Sequence, residues 1–271
     1  MDNLSGIKHI ICVASGKGGV GKSTTAINLS VALQQQGFAV GLLDADIYGP
    51  SQPMMLGVTS GTRPEIVDKQ FMKPVMAHGL ATNSIGYLVD MATAMVWRAP
   101  MIVGAFNQLL KQTLWGDLDF LIIDMPPGTG DIQLSLTQSA RVTGAVIVTT
   151  PQDIALLDAR KGMEMFRKVN VPILGVVENM AVHICSNCGH AEAIFGAGGG
   201  EQLAHSYGVE VIGSLPLDLS IREHTDAGVP ILISRPQGAV ADAYRALCER
   251  LLVELSQLGQ QQAPQIQITD D

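Results

Sequence analysis

The stretch Ser15-Gly16-Lys17-Gly18-Gly19-Val20-Gly21-Lys22-Ser23-Thr24 brings glycines, two lysines and hydroxyls together at a spacing suited to polyphosphate. Gly16, Gly21, Lys22 and Ser23 fill the pattern G-x-x-x-x-G-K-[ST]. Gly18, Gly19 and Val20 lie between them, and the glycines let backbone N–H groups turn toward an anion. The helix expected after the loop adds its positive end, with Thr24 in its first turn. Lys22 is the residue to reach the β- and γ-phosphates of a nucleotide, and the Ser23 hydroxyl the one to ligate Mg²⁺. Lys17 exceeds what the pattern requires. A loop this tight has no structural use for a second long cation, so Lys17 points to an outside partner such as the nucleotide of a second subunit.

Carboxylates complete the candidate site. Asp124 ends an apolar run and opens Asp124-Met125-Pro126-Pro127-Gly128-Thr129-Gly130, the position of a Walker-B aspartate that helps hold Mg²⁺. Gly128 and Gly130 allow the following loop to approach a γ-phosphate and move when it leaves. Asp44 and Asp46 stand two residues apart after another apolar run, so their side chains share one side. One of them contacts Mg²⁺ through water while the other orients or deprotonates the attacking water. Asp46, further along the loop, is the favoured base. Asn179, after a late apolar run, and Pro216 with Asp218 sit where a nucleotide base docks in such proteins, beyond the strand ends.

Cys185 and Cys188 form a C-x-x-C pair inside His183-Ile184-Cys185-Ser186-Asn187-Cys188-Gly189-His190. Zn²⁺ or a [4Fe–4S] cluster usually takes four ligands, and one chain offers only this thiolate pair. Two chains offer four thiolates, and a symmetric dimer would complete the site on its two-fold axis. Completion of a zinc site within one chain by His183 or His190 is the alternative. Cys12 and Cys248 read as buried small hydrophobes, and Met54, Met55, Met72, Met76 and Met91 as core packing.

These residues need a scaffold that gathers strand ends. Apolar runs at Ile7–Val13, Ala39–Leu43, Phe120–Ile123, Ala145–Thr149, Ile173–Val177 and Val211–Leu215 read as strands. Helix-like segments alternate with them: Thr24–Gln36, Pro100–Leu114, Asp131–Ala140, Ala155–Val169, Glu201–Tyr207 and Val240–Leu258. The alternation predicts an α/β fold, a mostly parallel β-sheet with helices on both faces. From Tyr48 to Gly86 proline, glycine and methionine obscure any period. In the last helix Tyr244, Leu247, Leu251, Leu255 and Leu258 form an apolar stripe suited to docking on the sheet. Residues 8–258 read as one domain carrying the cysteine loop at 185–188, with flexible termini at 1–7 and 259–271.

The 271 residues are 47% hydrophobic, enough for one large core. A net charge of −8 argues against a nucleic-acid surface. No apolar run reaches eighteen residues and the amino terminus lacks a secretory pattern, so a cytoplasmic protein without membrane attachment is expected. The cysteines are too few for a disulfide scaffold.

As a set, these motifs resemble the Mrp/ApbC family of P-loop ATPases, the iron–sulfur cluster carriers. That family lies within the deviant-Walker-A group that includes MinD, ParA and nitrogenase iron protein. The resemblance covers about Lys8 to Leu258. It rests on the Lys17-containing loop, Asp44-Ala45-Asp46-Ile47-Tyr48-Gly49-Pro50-Ser51, Val96-Trp97-Arg98-Ala99-Pro100-Met101, the Asp124 segment, Val177-Glu178-Asn179-Met180, and the cysteine pair followed by Ile194-Phe195-Gly196-Ala197-Gly198-Gly199-Gly200. It implies ATP hydrolysis with Mg²⁺, Lys17 reaching the nucleotide across a homodimer, Asp46 activating water and Asn179 contacting adenine. It also implies that Cys185 and Cys188 hold a labile [4Fe–4S] cluster bridging two subunits, for transfer to apo iron–sulfur proteins alongside cluster-assembly factors. Ala181-Val182-His183-Ile184 departs from the Ser-Gly-aromatic run usual before the first cysteine. Two other functions remain on the same residues: a MinD- or ParA-like positioning ATPase, and an ATPase switch with a structural zinc clasp. The first would need a basic amphipathic tail or a basic surface, whereas residues 260–271 are acidic and interrupted by proline.

Overall fold

A computed structural model describes residues 3–89, 98–185 and 187–262. Strands and helices alternate as β1 (Ile7–Ala14), α1 (Lys22–Gln35), β2 (Val40–Asp44) and α2 (Gln52–Met55), followed by β3 (Ile66–Val67), β4 (Phe71–Met72), β5 (Val75–Ala77) and β6 (Leu80–Ser84). Then come α3 (Ala99–Gln112), β7 (Leu118–Asp124), α4 (Asp131–Ser139), β8 (Gly144–Thr149), α5 (Asp153–Lys168) and β9 (Ile173–Glu178). The hairpin β10 (His183–Ile184) and β11 (Ala191–Glu192) leads to α6 (Gly199–Tyr207), β12 (Val211–Ser214), α7 (Leu219–Asp226), α8 (Ile231–Ser234) and α9 (Ala239–Gln262).

The main sheet runs β12-β9-β8-β1-β7-β2-β6-β5, parallel except where β5 meets β6 antiparallel. This is the expected architecture. Side chains alternate across β1, so Ile11 and Val13 enter one apolar core while Ile10, Cys12 and Ala14 enter the other. Helices α1, α8 and α9 cover the first core; α3 to α6 contribute to the second. Tyr244, Leu247 and Leu251 of the α9 stripe are almost wholly buried, as are Cys12 and Cys248. Burial pushes the Cys248 thiol up to about 12, which leaves it a protonated packing group.

The structure departs from the sequence expectations in particular places. The region from Tyr48 to Gly86 supplies α2, an added parallel strand β6 and the edge strand β5. Met55 and Met72 pack in the core, but Met54 and Met76 are exposed; Met91, like Val96 and Trp97, lies outside the described residues. The last helix extends to Gln262, four residues beyond the expected Leu258. Among the described residues no helix is long and apolar enough to cross a membrane.

Candidate nucleotide site and cysteine hairpin

Neighbouring parallel strands deliver the site. In the register of β7, Asp124 stands beside Val13 of β1 on one side and Asp44 of β2 on the other. The phosphate-loop motif leaves the carboxyl end of β1 and turns directly into α1 at Lys22. Two of its glycines are required by close contact. A Cβ on Gly16 would lie 2.0 Å from the Asp158 carbonyl carbon of α5. One on Gly21 would lie 2.0 Å from Asn179 Nδ2, and Gly21 also has φ +83°, a left-handed backbone. At Gly18 and Gly19 a Cβ would meet nothing within 4 Å. The loop is therefore pinned at its ends and open along its middle, where backbone N–H groups are accessible to an anion.

Lys22 Nζ pairs with Asp124 Oδ1 and donates to Ser23 Oγ at 3.2 Å. The Lys22 side chain is 7% exposed and that of Asp124 is fully buried, so each charge compensates the other in a poorly solvated place. Phosphate can enter this site by replacing Asp124 as the counter-charge of Lys22, leaving the carboxylate for a cation. Open glycine backbone, lysine, serine hydroxyl and buried carboxylate together fit a magnesium nucleotide. Lys17 is half-buried and makes no ion pair among the described residues.

Asp44 and Asp46 separate in environment. Asp44 is fully buried; its Oδ1 accepts from Asp46 N at 3.1 Å, and its Oδ2 from Ser51 N, Gln52 N and Ser84 Oγ at 3.0–3.1 Å. It ties the loop after β2 to β6. Desolvation, with the Asp124 charge second, pushes its carboxyl up to about 7. Asp46 is half-buried and accepts from Gly49 N at 3.1 Å on Oδ1, with the Tyr48 backbone N–H a second donor to its carboxylate; desolvation raises its carboxyl too. It borders a cavity of about 560 Å³ that Tyr48, Ile102, Pro127 and Ile132 also line.

Asn179 clamps the phosphate loop, donating Nδ2 to Val20 O at 2.8 Å. The preceding Glu178 accepts from Gly200 N of α6 at 2.7 Å, so the end of β9 holds two separate segments. Beyond Met180, in left-handed backbone at φ +58°, the chain enters the cysteine hairpin. Cys185 N donates to His190 O and Gly189 N to Cys185 O, closing a tight knuckle. The backbone N–H groups of Asn187 and Cys188 favour the Cys185 thiolate and lower its pKa. Both cysteines are free, and Cys188 is exposed. The hairpin and the phosphate loop both lie at the carboxyl end of the parallel sheet.

Among the described residues no group of three potential ligands gathers in one chain, and His183 Nδ1 instead lies 3.1 Å from Leu217 O. Among the described residues, His183 and His190 are not gathered with the two thiols into one ligand set. Asp218 Oδ1 accepts from Ser220 N at 2.8 Å as the N-cap of α7, and Pro216 is half-buried beside it. Gln52 is the site residue that the sequence reading missed. It is 1% exposed and donates Nε2 to Ser23 O at 3.1 Å and to Asp124 Oδ2 at 2.9 Å. Its position next to Ser51 at the end of the Asp44 segment was the only signal.

The profile of the ParA-type NUBPL iron-transfer P-loop NTPase family matches residues 6–252. The chain belongs to that family. An iron-sulfur cluster carrier protein of Pseudomonas fragi is 63% identical over 244 residues, covering 90% of this chain and 85% of the relative. The nucleotide-binding protein of Archaeoglobus fulgidus, solved in complex with ADP, is 37% identical with a TM-score of 0.74, covering 87% of this chain and 91% of that one. The cell division ATPase MinD of Pyrococcus furiosus is 26% identical with a TM-score of 0.67, covering 91% and 99%. This family member therefore has the P-loop NTPase fold that its phosphate loop predicts.

Proposed function

We propose that this protein binds and hydrolyses ATP and carries a [4Fe–4S] cluster, held between Cys185 and Cys188 of two copies, to apo-proteins. The observation that carries the reading is the cysteine knuckle itself. It presents two accessible thiols, one of them favoured as thiolate, at the same end of the sheet as the phosphate loop. A soft four-thiolate centre is completed by a second copy. The name of the Pseudomonas relative supports the same cargo.

In this reading Ser23 and Asp124 hold Mg²⁺, which supplies charge neutralisation at the β- and γ-phosphates. Lys22 exchanges Asp124 for phosphate. Asp46, its carboxyl raised by burial and therefore a stronger base than a solvated carboxylate, is suited to accept a proton from the attacking water. Lys17 reaches the nucleotide of the partner copy, and Asn179, holding Val20, responds to nucleotide at the base of the cysteine hairpin. Pro216 and Asp218 flank the adenine. The protein works in the cytoplasm with cluster-assembly factors and recipient apo-proteins, and engages neither membrane nor nucleic acid.

Anaerobic reconstitution with iron and sulfide tests the proposal, read by iron, sulfide and zinc per dimer and by the visible spectrum. About four iron and four sulfide per dimer are expected, lost in Cys185→Ala while ADP binding persists. Tight zinc without cluster uptake would instead identify a structural clasp. Uptake of neither metal would leave a positioning ATPase, in keeping with the likeness to MinD.

A further inference from the structure

Gln52 carries an unexplained buried polar atom. Its Oε1 has no hydrogen-bond partner among the described residues, and the residue is only 1% exposed. The orientation of the carboxamide is not arbitrary. Nε2 faces Ser23 O and the Asp124 carboxylate, both acceptors, so the NH₂ group must point that way and Oε1 the other. A buried acceptor left without a donor is disfavoured, and such atoms mark places where a ligand supplies the missing partner. The backbone N–H of Gln52 is also one of the donors to Asp44. One residue thus links the carboxylate that ends β2, the carboxylate that ends β7 and the first turn of α1.

We infer that Gln52 is a positioning residue for the magnesium nucleotide, anchoring Asp124 through Nε2 and presenting Oε1 to a water on the Mg²⁺ ion. The inference rests on the reading of the loop as a magnesium-nucleotide site. Mg²⁺ dehydrates reluctantly and keeps several waters, each of which must donate its hydrogens to nearby acceptors. Oε1 belongs to the same planar carboxamide whose Nε2 holds Asp124, so the residue that fixes this carboxylate also carries an unfilled acceptor. The Asp124 side chain has only one carboxylate to offer those waters, and its Oδ2 already accepts from Gln52. A second, neutral acceptor completes the cage without adding negative charge beside the phosphates.

The test is ADP affinity measured with and without Mg²⁺ on the full chain, together with the Mg²⁺ concentration that half-saturates the tightening. Gln52→Leu is expected to reduce the Mg²⁺-dependent gain in affinity about tenfold, the scale of one hydrogen bond to a charged centre. Mg²⁺-free affinity should stay within about twofold, since Lys22 and the glycine loop are untouched. If Gln52→Leu does not fold, Gln52→Met replaces it in the same comparison with wild type. An unchanged Mg²⁺ half-saturation in the Leu or Met variant would overturn the inference, as would an equal loss of affinity with and without the ion. Wild-type protein that binds ADP no tighter with Mg²⁺ would overturn the nucleotide reading, and this inference with it.

Discussion

Asp124→Asn isolates the charge pair on which nucleotide entry depends. In the protein Lys22 Nζ is paired with a fully buried carboxylate, and its own side chain is 7% exposed. The amide removes the counter-charge while conserving shape, and its oxygen still accepts from Gln52 Nε2. Breaking a buried pair by removing one partner costs about 3–5 kcal/mol. Ser23 Oγ, 3.2 Å from the ammonium, gives partial compensation, which sets the expectation at about 3 kcal/mol. For a chain of this size that is a fall in Tm of roughly 6–12 °C. The informative part is what ADP does next. At a hundred times its Kd, ADP adds about 2.7 kcal/mol to the wild type. In the variant the phosphates also neutralise a stranded lysine, so the ADP-induced rise in Tm should be larger than in the wild type. Differential scanning calorimetry in excess EDTA, with and without ADP, reads both quantities. A variant that melts within about 1 °C of wild type, or that gains no more from ADP, would refute the argument.

Three other perturbations test separate parts of the site. Gly21→Ala should destabilise by about 2–4 kcal/mol, from left-handed backbone strain plus the collision with Asn179, whereas Gly19→Ala at a similar φ but in open space should lose only about 1–2 kcal/mol; equal melting of the two would show that Asn179 does not press on the loop. Asp44 has a carboxyl raised from 3.8 to about 7, so the native state binds the extra proton between those values. Its contribution to stability is therefore greatest at low pH and declines as pH rises from about 4 to about 7. The Tm difference between wild type and Asp44→Asn should shrink over that interval, and a difference that grows with pH would contradict the burial argument. Lys17→Ala should leave Tm within about 1 °C, because Lys17 has no ion-pair partner among the described residues, while abolishing ATP turnover. Intact turnover by the purified variant would remove Lys17 from the catalytic machinery.

The amino-acid sequence by itself determined the elements whose chemistry is local. The glycine loop, the strand–helix alternation, the α9 stripe and the C-x-x-C pair each depend on spacing within one short segment, and each is recognisable from period or pattern. Tertiary structure decided which distant segments share an environment. Asp44 and Asp124 became neighbours only because β2 pairs with β7, and that register buries one carboxylate beside another. Asp44 consequently anchors a loop through four donors, a role that its place two residues before Asp46 does not reveal. Gln52 and Asn179 acquired their positions in the same way, by hydrogen bonds to Asp124 and Val20 that no local pattern encodes. Strands β3 to β6 are two to five residues long, too short for a period to stand out, so the edge of the sheet emerged only from pairing. Apolar side-chain type also left the fate of the methionines open: Met55 is 5% exposed and Met54, its neighbour, 60%, because one turn of α2 presents one face to the core and the other to solvent.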